Sequence, residues 1–290
     1  MKDYKRLTNT NLDEFNPRYD FCIGCKYRCD YQGCTRQSGS CGNYEQFNET
    51  YNRLYEFEDK IEQGILIDGV VMSEVMFDHS RNISGEHPEH IKWVYEVAIP
   101  KIEHDFGYKV IVLKSESDYV QEFYHVITRS KVKERNGKYQ GFVIAGMCVG
   151  NSKLKMQPLR KFYKKQGEHE KIVGIAVDEP KRLARLKDNN RSVLAEFGLS
   201  EKDAFVLCKK YDMLSPIYAH SFRNGCWFCP NTRISQFAKL KRDYPQLWNE
   251  LAKLSKEPNT ISKNFKWGKT FDEIERKVDL YNNQISMWEE

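Results

Sequence analysis

The chain has 290 residues, of which 40% are hydrophobic and 30% charged, and its formal net charge is +5. This composition is typical of a folded globular protein, and no apolar run approaches the roughly 18 residues that a membrane span needs. The first residues lack the apolar segment of a secretory signal, so we expect a cytoplasmic protein with no membrane partner. The positive charge permits a polyanionic ligand without requiring nucleic acid.

Five of the nine cysteines lie close together within residues 20–43. This segment has almost no aliphatic side chains, so something other than hydrophobic burial must order it. In a reducing compartment such a cluster indicates metal ligands rather than disulfides. Zinc is the simplest metal for thiolates at these spacings, and four of the five would close its tetrahedral site. The set is Cys22, Cys25, Cys29, Cys34 and Cys41.

Residues 44–64 carry apolar side chains at helical spacing, and Gly64 closes the predicted amphipathic helix. Residues 1–64 are therefore predicted to form a small Cys-rich, metal-binding module of their own.

Short runs rich in valine and isoleucine alternate with helical patterns from residue 65 onward. One helix is predicted to begin at Pro88, to bend at Pro100 and to end at Gly107. Because it connects two strand-like runs, it implies a parallel sheet. We expect residues 65–195 to form an α/β core with an open doubly wound sheet. The predicted strands cover residues 69–77, 109–115, 141–147 and 171–178.

Helices dominate the prediction for residues 196–290. Ser200 is the expected N-cap of one helix, with Asp203 three residues later as in a capping box. Amphipathic patterns predict further helices at residues 234–254 and 270–281. The last third of the chain is therefore expected to be a helical region.

Two charged segments follow predicted strands, where open parallel sheets bind their ligands. A basic, glycine-containing segment follows the third strand and suits phosphate, because N–H and ammonium groups converge at a helix start. Solvated loops and helix faces have similar compositions and are the alternative for both segments. The third-strand segment contains Cys148, Lys153, Lys155, Arg160, Lys164 and Lys165, and the fourth-strand loop contains Asp178, Glu179, Lys181 and Arg182.

Cys226 and Cys229 form a CxxC motif within the string FRNGCWFCPNTR. Such a pair is a redox dithiol, half of a metal site, or a buried aromatic turn. Redox pairs usually start a helix directly after a strand, because the helix N-terminus lowers the pKa of the first thiol. Here a polar stretch precedes the motif and Pro230 follows it, which favours a metal half-site.

The strings CVGNSKLKMQPLRKFYKK, GIAVDEPKR, SPIY and GCWFCPN resemble the phosphoadenosine phosphosulfate (PAPS) reductase-like proteins of phages and prophages in Gram-positive bacteria. The resemblance runs from about residue 65 to the end of the chain. It implies an adenine-nucleotide α-hydrolase-like fold, an adenine nucleotide or sulfonucleotide as ligand, and the cytoplasm of a bacterial host. An oligomer is compatible with it.

The resemblance also implies a set of site residues. It places a nucleotide near Lys153, Lys155, Gly174, Asp178, Glu179 and Arg182, with catalytic roles for Lys153, Glu179 and Arg182. It pairs Cys148, Cys208, Cys226 and Cys229 as ligands of a 4Fe–4S cluster or of zinc, and four thiolates can close either centre. Cys208 lies on the apolar side of its predicted helix, so an inert core cysteine is the alternative for that residue.

One departure from this family concerns its pyrophosphate loop, SGGKDS, whose N–H groups and lysine hold the polyphosphate. This sequence has no such loop, since its serine–glycine string Ser38–Asn43 lacks the lysine and the aspartate. Two hypotheses follow. In the first, the protein is an enzyme that uses an adenine nucleotide for sulfur or electron transfer. In the second, it is a catalytically degenerate phage accessory factor that binds a nucleotide, a nucleic acid or a protein, and its metals are structural.

Overall fold

The structure is a computed structural model that describes residues 67–142, 148–187, 189–221 and 224–289. The chain divides into two compact units, Met1–Asp68 with Glu168–Leu214 (unit 1) and Gly69–Gly167 with Ser215–Glu290 (unit 2). The predicted Cys-rich module of residues 1–64, with its five cysteines and its helix, lies outside the described residues. The predicted domain boundaries after residues 64 and 195 stay predictions.

Three short strands begin unit 2. They are β1 (Val70–Glu74), β2 (Met76–Asp78) and β3 (Ile83–Ser84). β2 and β3 form an antiparallel hairpin, and Asn82 in its turn has a φ of 52°. Asparagine is one of the few residue types that adopts this left-handed conformation readily, so the sequence suits the turn.

A continuous helical stretch follows, made of α1 (Pro88–Trp93), a π-helical turn (Val94–Ala98) and α2 (Ile99–Asp105). Pro100 has no N–H to donate, and its ring crowds the carbonyl four residues earlier. The wider turn before it relieves this conflict, because the Ile99 N–H bonds the Val94 carbonyl five residues back. The predicted distortion at Pro100 is therefore a π-helical turn, and Gly107 with a φ of 71° follows the helix end as expected.

A parallel strand pair confirms the predicted strand, helix, strand order. β4 (Val110–Lys114) runs parallel to β1, with Val110 opposite Val70. Every sheet in the described part of the chain has two strands, so this part is mixed α/β with short parallel pairs. The strand predicted at 141–147 lies almost entirely outside the described residues, and the open doubly wound sheet stays a prediction.

Two helices complete the first half of unit 2. α3 (Tyr119–Phe123) starts at Asp118, whose carboxylate accepts the Gln121 N–H as the N-cap of a capping box. α4 (Met156–Lys164) continues from a π-helical turn (Gly150–Lys155). The turn carries Lys153 and Lys155 of the predicted basic segment, and α4 carries Arg160 and Lys164.

Unit 1 is described from residue 168 to 214. β5 (Lys171–Ile172) and β6 (Asn190–Arg191) are parallel strands. The helix α5 (Pro180–Leu183) lies between them in the sequence, and α6 (Val193–Glu196) and α7 (Glu201–Lys210) follow them. The strand predicted at 171–178 is therefore shorter than expected. The Ser192 hydroxyl donates to the Ile175 carbonyl, which takes the place of a ladder bond. The capping box of Ser200 and Asp203 at the start of α7 is confirmed.

The second half of unit 2 contains α8 (Ile234–Asp243), α9 (Pro245–Ser255), the hairpin of β7 (Asn264–Lys266) and β8 (Lys269–Thr270), and α10 (Phe271–Glu289). The single helix predicted at 234–254 is wrong, because Pro245 cannot continue a helix and leaves Tyr244 at a φ of −134°. α10 extends well past the predicted end at residue 281, and the hairpin was not predicted.

An aromatic core holds unit 2 together. The largest of its fully buried side chains are Phe77, Phe123, Phe237, Trp248 and Phe265. Edge-to-face and tilted ring contacts connect them, for example Phe237 with Phe265 at a centroid distance of 5.5 Å. Within the described residues, no helix combines the length and apolarity needed to cross a membrane.

Candidate functional site

The CxxC motif forms a tight turn in unit 2. The Cys229 N–H donates to the Cys226 carbonyl at 3.0 Å, and the Thr232 N–H donates to the Cys229 carbonyl at 3.0 Å. α8 begins only at Ile234, so its N-terminus does not start at the first cysteine. Redox CxxC pairs lie at the start of a helix, which lowers the pKa of the first thiol, and the Cys226–Cys229 turn has no such helix. The turn resembles the knuckle-type turns of metal half-sites more than a redox motif.

The two aromatic residues between the cysteines hold this turn in the core. Trp227 and Phe228 are each 3% exposed. The Trp227 ring lies 4.5 Å from that of Phe77, and the Phe228 ring lies 4.0 Å from that of Tyr119. Because both rings point into the core, the two cysteines on either side of them are fixed in position.

Backbone contacts fix the turn to the strand hairpin. The Trp227 N–H donates to the Gly85 carbonyl at 3.1 Å, and the Trp227 indole N–H donates to the Ser84 carbonyl at 2.8 Å. Glu86 and Cys226 face each other as an isolated antiparallel bridge. These bonds bring a buried carboxyl group next to the first cysteine of the motif.

A cavity of 430 Å³ lies beside this turn within unit 2. Cys148 joins Cys226 and Cys229 in its wall. A methyl group added at Gly150 would lie 3.6 Å from the Cys148 sulfur and 4.0 Å from the Cys226 sulfur. Both sulfur atoms therefore border the small space that this glycine leaves open. The other polar and charged lining residues include Glu86, His87, Asn151, Lys155, His220, Ser221, Asn224, Asn231, Thr232, Ser235, Gln236 and Lys239.

The charges around the cavity oppose one another. Burial raises the pKa of Cys226, the nearby Glu86 and Cys229 raise it further, and Lys155 acts in the opposite direction. Burial likewise raises the pKa of Glu86, which is 8% exposed, and the Lys155 ammonium opposes this shift. Lys155 forms no ion pair with any residue that the structure describes, so its ammonium group is available to an anion in the cavity.

Histidines and an ion-pair network line another part of the cavity. Burial lowers the pKa of His87, and its Nδ1 atom is buried with no hydrogen-bond partner in the described part of the chain. His220 and Lys239 both approach Glu89, at 3.3 Å and 3.4 Å, and Lys239 also pairs with Asp243 at 2.6 Å. Lys239 is thus neutralised by carboxylates.

The two lysines predicted to bind nucleotide have different surroundings. Lys155 lines the cavity. Lys153 is exposed, and its ammonium group lies 2.5 Å from a carboxylate oxygen of Glu122. Of the two, only Lys155 lines the cavity, and it forms no ion pair with the residues that the structure describes.

The other predicted nucleotide-binding residues belong to unit 1. Arg182 pairs with Glu179 at 2.5 Å and holds the pKa of that carboxyl below its usual value. The Asp178 carboxylate accepts the Glu201 N–H at 3.0 Å at the start of α7. Gly174 is exposed and has open space around it. These residues form a local cluster whose carboxylates are already bonded within unit 1.

Cys208, the fourth cysteine of the predicted set, lies on α7 in unit 1. The residue is exposed, and partial burial of its thiol raises the pKa of Cys208, so an inert core cysteine stays an alternative for this residue. Among the residues that the structure describes, no three His, Cys, Asp or Glu side chains are grouped so that they could hold a metal ion. Cys148, Cys226 and Cys229 supply the right donor type around one cavity, but a metal centre would require them to come closer together.

Several residues of the cavity were not predicted from the sequence. Glu86 and His87 are distant from the cysteines in the sequence, and the end of the hairpin and the start of α1 bring them to the cavity, whereas His220 lies only six residues before Cys226. The string SGEHPEH at residues 84–90 was the available signal, since it combines an acid with histidines before a predicted helix start.

Comparison with known proteins adds little to this picture. No protein-family profile matches the chain. An uncharacterised protein of Methanocaldococcus jannaschii is 22% identical over 171 residues, which covers 55% of this chain and 32% of the relative. The chain therefore spans about a third of the length of the curated relative that it matches. No solved structure matches it.

Proposed function

We propose that unit 2 binds an adenine nucleotide or sulfonucleotide in the cavity beside Cys226, and that its cysteines serve sulfur or electron transfer. This is the function implied by the resemblance to PAPS reductase-like proteins. The observation that carries it is the meeting of Cys148 with the Cys226–Cys229 turn, far apart in the sequence, in one cavity that also contains Lys155.

The cavity suits a small anionic ligand for physical reasons. Its 430 Å³ lies within the range of roughly 300–1,000 Å³ usual for small-molecule sites. The Lys155 ammonium in the cavity wall would bind a phosphate or sulfate group. The buried Glu86 would disfavour a second anion close to Cys226, so we expect the anionic end of the ligand near Lys155.

The resemblance further suggests that Cys148, Cys226 and Cys229, with Cys208 as a fourth ligand, hold a 4Fe–4S cluster or zinc. An iron–sulfur cluster would supply single electrons to a sulfonucleotide, whereas zinc would have a structural role. In either case Trp227 and Phe228 would keep two of the thiols in place.

Ligand binding can be tested by calorimetric titration of the whole protein with ATP and with PAPS. Lys155→Ala is expected to weaken binding at least about tenfold, because it removes a charge from the cavity wall. Lys153→Ala is the matched control, since its ammonium group is paired with Glu122. If the Lys153 variant lost as much affinity as the Lys155 variant, the cavity would not be the nucleotide site.

Metal content can be tested on protein purified without oxygen, by its absorption spectrum and by iron, sulfide and zinc analysis. We expect metal that is lost in Cys229→Ser. A brown protein with iron and sulfide favours transfer chemistry, and a colourless protein with zinc favours a structural centre. Metal-free protein would leave sulfur or electron transfer through this site without support.

The missing SGGKDS loop favours a second candidate function, in which the protein binds its ligand without turning it over. Such a protein would be a phage accessory factor with a nucleotide, nucleic acid or protein as partner. Phosphate loops supply N–H donors to the polyphosphate, and their absence weakens the case for catalysis. Pyrophosphate release from ATP, or reduction of PAPS in the presence of a thiol reductant, would exclude this candidate if either were lost in Cys229→Ser.

A further inference from the structure

The hairpin of β7 and β8 is firmly anchored in unit 2. Phe265 in β7 is fully buried, and its ring lies 4.9 Å from that of Phe142. The Lys266 ammonium donates to the Thr232 carbonyl at 2.6 Å and lies over the Phe237 ring. The turn itself is tight, with Gly268 at a φ of 65°. The residues at the tip are therefore held by a rigid base.

Trp267 lies at the tip of this hairpin and is 77% exposed. It is the most exposed of the large hydrophobic side chains in the described part of the chain. Burying an indole is strongly favourable, and tryptophan is usually largely buried in a folded domain. An indole held on a rigid turn in solvent is therefore a feature of an interaction surface rather than of the core.

Two exposed lysines lie on the two elements that follow this turn. Lys269 follows Trp267 by two residues, and Lys277 projects from α10. Both side chains are exposed, and the positive charge of Lys269 lowers the pKa of Lys277. The nearby Glu273 carboxylate is engaged by the N–H and the hydroxyl of Thr270. Two like charges in contact are unfavourable, and an anion between them would remove the repulsion.

We propose that Trp267, Lys269 and Lys277 form a docking surface for single-stranded nucleic acid. A base would stack on the exposed indole, and a backbone phosphate would bridge the two ammonium groups. Stacking on an aromatic side chain next to basic residues is how many proteins hold single strands without sequence preference. Charge complementarity favours this polyanion over an apolar protein surface, because two exposed cations lie on β8 and α10, the elements that follow the hairpin tip.

The test measures the fluorescence anisotropy of labelled oligothymidylate and oligouridylate titrated with the whole protein at low salt. We expect Trp267→Phe to keep most of the affinity and Trp267→Leu to lose about tenfold, because only an aromatic ring stacks on a base. The exposure of Trp267 means that both variants should melt at the same temperature as the wild type. Equal affinities for the Phe and Leu variants would overturn the proposal.

The electrostatic part is tested by Lys269→Glu combined with Lys277→Glu. We expect affinity to fall at least about tenfold and the magnitude of the slope of log K against log salt to fall by about 0.7, as for one phosphate contact on a single strand. Lys131→Glu combined with Lys133→Glu changes the net charge equally on another exposed loop and should have a smaller effect. An equal loss in that control would show a nonspecific charge effect and would overturn the proposal.

A third experiment tests binding to vesicles of phosphatidylcholine and phosphatidylglycerol in equal parts. Tryptophan also anchors proteins at membrane surfaces, so sedimentation with these vesicles must be measured. Trp267-dependent binding to vesicles with no binding to either oligonucleotide would overturn the proposal in favour of a membrane. Neither result depends on nucleotide binding in the cavity, which is tested by Lys155→Ala.

Discussion

Gly85 lies where the strand hairpin and the CxxC turn come closest. Its carbonyl accepts the Trp227 N–H, and its own N–H donates to the Val75 carbonyl at 2.7 Å. A methyl group at this position would lie 2.7 Å from the Phe228 ring and 3.0 Å from the Val75 carbonyl oxygen. No side chain fits here without moving the buried ring that holds the cysteines.

We therefore expect Gly85→Ala to lower the free energy of unfolding by about 1–3 kcal/mol, as overpacking of a core does. Urea unfolding followed by tryptophan fluorescence measures this change. Gly225→Ala is the control, because a methyl group there meets nothing within 4 Å. Equal stabilities of the two variants would show that the ring of Phe228 moves freely.

His90 connects α1 to the segment before α8, and it should make stability depend on pH. Its Nδ1 atom shares a hydrogen bond of 2.9 Å with the Ser215 hydroxyl. Burial lowers the pKa of His90 to about 4, and Lys155 and His87 add to this shift. The unfolded chain binds a proton near pH 6.5 and the folded chain only near pH 4, so the stabilising contribution is present above pH 6.5 and lost as the pH falls.

Replacing this imidazole should flatten the pH profile. The free energy of unfolding of the wild type should decrease from pH 6.5 to pH 4. In His90→Gln, we expect this decrease to be smaller by about 1 kcal/mol. Glu86 acts in the opposite sense in both proteins, because its raised pKa adds stability as the pH falls. Urea unfolding across this range measures the difference, and the exposed His125→Gln provides a control.

At the scale of single elements, α7 illustrates a helix whose start is encoded locally. The Ser200 oxygen accepts the Asp203 N–H at 3.2 Å, and the Asp203 carboxylate accepts the Ser200 N–H at 2.8 Å. Both bonds satisfy N–H groups that the helix itself leaves without partners. The cap therefore contributes stability that can be removed without touching the core.

Ser200→Ala should destabilise α7 by about 1 kcal/mol. Hydrogen exchange of the amides in Glu201–Lys210 is then expected to be about fivefold faster, while exchange in α8 and α9 is unchanged. Ser200→Thr keeps the hydroxyl and should restore most of the protection. An unchanged exchange rate in the alanine variant would mean that tertiary contacts alone hold the helix start.

Elements with local signals were predictable from the sequence, and elements set by distant contacts were not. The β1 and β4 runs, Pro88, Gly107 and the Ser200 cap each act through neighbouring residues, and the structure confirms them. The hairpin of β7 and β8 was missed because its strands have only three and two residues. Its position depends on the burial of Phe265, which no local pattern reveals.

Of the candidate site, only the cysteines could be predicted from the sequence, because their residue type alone indicates their chemistry. Cysteines stand out in a sequence, and three of the four predicted ligands do line one cavity. Glu86 did not stand out, because its role depends on a bridge to Cys226 across a long sequence separation. The same reason applies to Lys153, whose pairing with Glu122 could not be predicted from spacing.

At the scale of the whole molecule, the nine cysteines form two groups that are separate in the sequence. Five lie before residue 42 and four between residues 148 and 229. Each group contains enough thiolates to close a four-coordinate centre without help from the other. The two groups are therefore predicted to bind metal independently.

Replacing the five amino-terminal cysteines by serine should remove the zinc that we predict for that group and leave unchanged any metal that we propose at Cys226 and Cys229. Cys226→Ser with Cys229→Ser should do the reverse. Because a tetrahedral zinc site needs only four thiolates, one of the five single Cys→Ser variants should keep full zinc content while the other four lose it. Metal analysis of each purified variant measures this, and loss of all metal on changing either group would show that the two groups form one centre.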